Sequence, residues 1–278
     1  RIAKERMMTK HLVALMALLL AFPVSAAERL LLGVNTGVPA RDEQRDINEK
    51  YKPLADYLAA ALKRPVRLEV SQSLSASERR LKKDAFDLFL GPPQVIAQAM
   101  KSANYAPIAR YPGKLKAAFV VMESSGIKSL GDMKGKRLGL PDKESLASQL
   151  ALAKLRFSRI TPDNYFAEIF YQRFQDATLN ALKIGRVDVA VVTSGFAKNW
   201  VQDHPGSRVI EESYEVVHFA FAVSEDMSEA DARHIQQLLL DAPNTADGRI
   251  MLEKMGRKDG FVSASKDDYA PLVRLFGL

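Results

Sequence analysis

The chain has 278 residues, with 40 basic and 33 acidic side chains and no cysteine. Without cysteine there is no disulfide framework, no thiolate nucleophile and no thiolate-held metal, so the fold must rest on its buried cores. About 250 residues beyond the first segment are enough for that, as one large domain or as two.

Lys10 and His11 precede the apolar run Leu12 to Val24, which is broken only by Pro23 and followed by Ser25, Ala26 and Ala27. A basic end, a short apolar core and small residues predict a secretory signal peptide over residues 1–26. The run is about 13 residues long, short of the roughly 20 that a membrane-spanning helix needs. A periplasmic protein, soluble after cleavage, is the expectation. Cleavage would leave 36 basic and 32 acidic groups, a net charge of +4. That weak balance, with basic and acidic groups interspersed, suits attraction of small anions and lacks the concentrated footprint of a nucleic-acid binder.

Leu30 to Val34 is a continuous apolar run, the pattern of a strand covered on both faces. Asn35 to Asn48, with glycine, proline and charges, reads as a connection. Tyr51, Leu54, Ala55, Leu58 and Leu62 then share one helix face, Lys63-Arg64-Pro65 ends that helix, and Val66 to Val70 alternates as a strand. Strand, long helix, strand predicts a largely parallel sheet with helices on its faces. The alternation continues with a helix over 77–83, a strand over 87–90, a helix over 95–100 and apolar segments at 105–109 and 117–122. The middle of the chain repeats it: strands at 137–140, 168–171, 187–192 and 207–210, and helices at 142–157, 177–184 and 195–201. Three helices, 230–240, 245–255 and 267–276, close the chain.

Between Glu123 and Lys134 the composition shifts to serine, glycine and charge, and a second apolar run begins at His218. These two places are the expected crossings between lobes. They put lobe 1 at 27–122 and 218–278, and lobe 2 at 123–217. Local periodicity alone is equally compatible with a single doubly wound domain.

Four segments in order carry a resemblance: Tyr51-Lys52-Pro53-Leu54-Ala55-Asp56-Tyr57-Leu58 with Pro65-Val66; Phe86 through Pro92; Ser125 through Arg137; and Asp176-Ala177-Thr178 through Gly185-Arg186-Val187-Asp188-Val189-Ala190. Together they resemble the periplasmic phosphate, phosphite and phosphonate-binding protein family of ABC transporters. The resemblance implies an α/β fold of two Rossmann-like lobes joined by a hinge, the type 2 periplasmic binding protein fold. It also implies a small polar or anionic solute, held by hinge closure and delivered to an ABC permease. Gly91-Pro92 would expose backbone at the carboxyl edge of a sheet, where open α/β sheets bind ligands. Gly135 would permit the bend before the next strand.

The family places an Asp-Pro-x-Ser-Thr-Ser-Gly segment at the start of a lobe-2 helix, where hydroxyls and free N–H groups hold phosphoryl oxygens. The matching stretch here is Asp142-Lys143-Glu144-Ser145-Leu146-Ala147-Ser148. Ser145 keeps the first hydroxyl, Leu146 and Ala147 lack the next two, and Ser148 stands for the glycine. Glu144 would contact ligand or serve the helix start. Gln175-Asp176 replaces a family His-Asp pair, and Asp176 would accept from a ligand group or cap its helix. Asp188 matches the aspartate before a lobe-2 strand and would touch ligand or orient its loop. The tyrosine after the Gly-Pro turn is missing, with Val95 in that region. Gln94 and Thr193 are cleft candidates because they lie just beyond strand ends. Arg41 and Arg45, in the loop after the first strand, would enter the cleft or stay solvated.

An enzyme is disfavoured, since no nucleophile elbow, GxGxxG, Walker A or HExxH motif is present and His204, His218 and His234 lack metal-ligand spacing. No cofactor or metal is expected, and a monomer is. The fold would also suit a ligand sensor that presents its closed form to a membrane partner.

Overall fold

The apolar run near the start forms β1 (Leu30–Asn35), paired in parallel with β2 (Val66–Ser71) and β3 (Leu88–Gly91). The structure, a computed structural model, describes residues 29–38, 47–71 and 73–278. The expected signal peptide and the candidates Arg41 and Arg45 lie outside the described residues. Helix α1 (Ile47–Leu62) makes the crossover from β1 to β2, and α2 (Leu74–Leu81) the one from β2 to β3. Each fully buried leucine contributes about 1.5–3 kcal/mol. Leu54 and Leu58 on α1, packed over Leu88 and Leu90, are in this class and hold the crossover on the sheet.

The first sheet is completed by chain from both ends of the sequence. Helix α3 (Pro93–Ser102) leads to β4 (Tyr105–Arg110), and the late strand β12 (Ala220–Ser224) inserts antiparallel between β3 and β4. With β13 (Val262–Ser263) on the edge, the order is β13-β4-β12-β3-β1-β2. Helices α8 (Glu229–Asp241), α9 (Ala246–Lys254) and α10 (Lys266–Phe276) belong to the same lobe.

The second sheet contains β6 (Ala117–Met122), β7 (Arg137–Leu140), β8 (Glu168–Tyr171), β9 (Val189–Thr193) and β10 (Ser207–Glu212), in the order β10-β6-β9-β7-β8. Around it lie α4 (Leu146–Phe157), α5 (Pro162–Tyr165), α6 (Gln175–Lys183) and α7 (Ser194–Asp203). Among the described residues three apolar clusters form the core. One fills the outer face of each sheet, and a larger one runs from α3 and α10 in lobe 1 through to α4 in lobe 2.

Two chain segments join the lobes, and they pair with each other. Strands β5 (Lys114–Leu115) and β11 (Val216–Val217) form an antiparallel ribbon between the two sheets. This corrects the expected first crossing at 123–134. Strand β6 already belongs to the second sheet through β9 and β10, so the crossing runs through 111–116. The segment 123–134 is a surface connection inside lobe 2. Its polar composition reports exposure, which a connection within a lobe shares with a linker. Within it Ile127 and Met133 anchor the chain in the core. Gly135 follows with φ +72, a conformation that strains any residue with a Cβ, and turns the chain into β7.

Candidate functional site

The carboxyl ends of β1, β3, β7 and β9 meet where the lobes face each other. The chain beyond them supplies Thr36 to Val38, Pro92, Ser145 to Ala147 and Thr193 to Gly195 around a cavity of 240 Å³. Two helices begin at its wall. Ser145 caps α4, its Oγ accepting from Ser148 N–H at 3.2 Å and donating to Ser148 Oγ at 3.1 Å. That hydroxyl is therefore engaged in the cap, and the amides of Leu146 and Ala147 are left without a partner among the described residues. Gly195, in the first turn of α7, has a free amide of the same kind. Such first-turn N–H groups carry the positive end of the helix dipole.

The rest of the wall comes from lobe 1 and the ribbon. Arg257 lines the cavity with its guanidinium 4.3 Å from the centre of the Tyr111 ring. His218, just after β11, lines it as well. Its Nδ1 accepts from Phe219 N–H at 2.7 Å, and its ring stands edge-on to Tyr111. Burial, followed by the nearby Arg257 and Arg110, pushes its pKa down to about 4, so the imidazole is neutral. Among the described residues no carboxylate lines this cavity. No cluster of three or more metal-ligating side chains occurs among the described residues.

Gln175 ties the lobes together. Only 8% exposed, it donates from Nε2 to Val38 O of lobe 1 at 3.0 Å. Its Oε1 accepts from both Thr193 N–H (2.7 Å) and Thr193 Oγ1 (2.9 Å). Gln94, also buried, donates across the cleft to Glu144 O at 3.3 Å, while its Oε1 has no partner among the described residues. The Glu144 carboxylate accepts from Ser75 N–H of lobe 1 at 3.0 Å. Glu144 lines a second cavity of 490 Å³ that shares Gly37 and Val38 with the first and carries Asp142, Lys143 and Arg173 on its lobe-2 side.

Of the seven residues expected from sequence, Ser145, Gln175 and Thr193 line the inner cavity and Glu144 the outer one. Gln94 bridges the lobes beside them. Asp176 lies in the first turn of α6 outside both linings, with a buried Oδ1 that has no hydrogen-bond partner among the described residues. Asp188 also lies outside both linings. It precedes β9 at the sheet edge opposite Thr193, and binds Arg137 through both oxygens (2.7 and 3.0 Å) and through the Arg137 amide (2.8 Å). The Arg137 contacts hold its carboxyl below the usual carboxylate range. A bend-orienting role fits this placement, and a ligand contact does not. Sequence reasoning missed Thr36, His218 and Arg257 as cavity residues. His218 carried a signal in its place at the return crossing. Arg257 lies between α9 and β13 and carried none.

A family model described as "ABC transporter, phosphonate, periplasmic substrate-binding protein" matches residues 36–269. Among solved structures, PhnD1 of Prochlorococcus marinus, in complex with methylphosphonate, is 16% identical with a TM-score of 0.72, covering 89% of this chain and 96% of that one. A binding protein component of an ABC phosphonate transporter from Pseudomonas aeruginosa is 14% identical with a TM-score of 0.71, covering 90% and 85%. The aliphatic sulphonate binding protein SsuA of Escherichia coli is 16% identical with a TM-score of 0.59, covering 90% and 79%. Curated proteins supply no match. These structures share the two-lobed α/β fold, and the family match spans nearly the whole described chain. The chain belongs to the periplasmic substrate-binding proteins of ABC phosphonate transporters, a family of transport proteins and not of enzymes.

Proposed function

We propose that this protein binds a small oxyanion of the phosphonate, phosphate or phosphite type in the inner cavity, closes its lobes around it, and delivers it as a monomer to an ABC permease. The observation that carries this reading is the composition of the wall. First-turn amides of α4 and α7 and the side chain of Arg257 come together at one cavity, with no carboxylate among the described lining residues. Such an arrangement favours negative charge and disfavours a cation. Leu146 and Ala147 replace two family hydroxyls, so recognition by α4 rests on backbone amides, which read charge and shape more than side-chain identity. The ribbon of β5 and β11 is the natural hinge, since it alone links the two sheets along the backbone. A bridging anion then stabilises the closed population by the contacts it makes with both lobes.

The test is isothermal titration of the purified protein with methylphosphonate, inorganic phosphate and phosphite, paired with small-angle X-ray scattering. Binding of at least one, with a fall in radius of gyration, is the expected result. Absence of binding by all three at millimolar concentration would sink the proposal.

A further inference from the structure

Resting on the oxyanion reading above, we propose that His218 is a specificity-determining residue of the cleft, presenting its Nε2–H as a fixed hydrogen-bond donor to an unprotonated oxygen of the bound anion. Nδ1 accepts the Phe219 amide at 2.7 Å, and this contact requires a lone pair on Nδ1. The proton of the neutral ring therefore sits on Nε2, because neutral imidazole carries one donor and one acceptor. A second proton would set N–H against N–H, so the geometry itself opposes an imidazolium. The low pKa agrees with it.

The ring is also held in place. Tyr111 meets it edge-on at 5.4 Å between centroids, and Tyr269 donates from its hydroxyl to His218 O at 2.5 Å. Tyr111 in turn is flanked by Arg257 at 4.3 Å and Phe261 at 5.0 Å. His218 lines the inner cavity, and among the described residues the hydrogen bond its ring makes is the one at Nδ1. A hydroxyl in this place would donate or accept as the ligand required. An Nε2–H locked by its neighbour only donates. His218 thus rejects a ligand that offers a P–OH or an ammonium at that point. Beside it, Arg257 supplies the charge that His218 withholds.

The test compares wild type with His218→Gln and His218→Asn, using methylphosphonate and inorganic phosphate as probes. Gln reaches the Nε2 position with an amide N–H, whereas Asn ends near Nδ1. The expected loss for His218→Asn is about 10- to 100-fold in affinity, as for a hydrogen bond to a charged group, with recovery to within about 3-fold in His218→Gln. Wild-type protein labelled with ¹⁵N-histidine gives a readout that needs no variant. The Nε2–H resonance of His218 should show the Nε2–H tautomer and move when the probe is added. Equal affinity of wild type and His218→Asn, or an Nε2 signal that ignores a bound probe, would overturn the assignment and leave the oxyanion reading standing. If wild type binds neither probe nor phosphite, the oxyanion reading itself fails and this assignment falls with it.

Discussion

Glu144 of lobe 2 accepts the Ser75 amide of lobe 1 at 3.0 Å, so a side chain of one lobe serves the helix start of the other. Helix α2 is capped by Ser73, whose Oγ takes the Ala76 amide, and Glu144 takes the one before it. The contact ties the two lobes across the mouth of the cleft. It is exposed, so water competes for both groups. Glu144→Ala should raise the radius of gyration measured by X-ray scattering without added solute. An unchanged radius would show that this contact does not contribute to closure.

Gln175 spans the cleft more deeply. Replacement by Leu keeps the volume but strands Val38 O and the Thr193 amide, both of which it satisfies. Unsatisfied buried polar groups cost about 1–3 kcal/mol each. We expect Gln175→Leu to lower Tm by about 5–10 °C, and to weaken oxyanion binding because β9 and the β1 loop lose their common tie. Differential scanning calorimetry with and without methylphosphonate checks both parts.

Asp188 and Arg137 give the opposite signature. Their bidentate pair is partly exposed, so its contribution is of order 1 kcal/mol after screening. Asp188→Asn should lower denaturant stability by about that amount and leave oxyanion affinity unchanged. A change in affinity beyond about 3-fold would place Asp188 in the binding machinery after all.

His218 predicts a pH dependence of stability. Its folded pKa is depressed to about 4 by burial, Arg257 and Arg110, while the unfolded chain has the ordinary value of 6.5. Between these values the unfolded state binds the extra proton, so stability rises with pH there. The contribution is fully present above pH 6.5, is lost as pH falls toward 4, and levels off below. Tm measured across this window should fall with acidification in wild type, and His218→Gln should flatten part of that fall. Parallel curves for the two proteins would contradict the buried, neutral histidine.

Much of the fold was legible because periodicity is a local consequence of burial. The strands at 137–140 and 168–171 and the long helix carrying Leu54 and Leu58 form where the pattern places them. Helix 142–157 starts later, at Leu146, because Asp142 and Ser145 turn the chain and cap it. The two-residue strands β5, β11 and β13 are too short to show a period, and two of them make the ribbon that joins the lobes.

The residues by themselves determined which segments become strands and helices and that the chain alternates as α/β. Those are properties of nearest neighbours along the chain. Only the tertiary structure decided that Ala117–Met122 pairs in lobe 2, that Ser145 is engaged in its own helix cap, and that Asp188 faces away from the cleft. It also brought His218 and Arg257 to the inner cavity from outside lobe 2, across separations no local pattern encodes. Sheet pairing is chosen by contacts between distant segments, and the composition of the cleft wall follows from that choice.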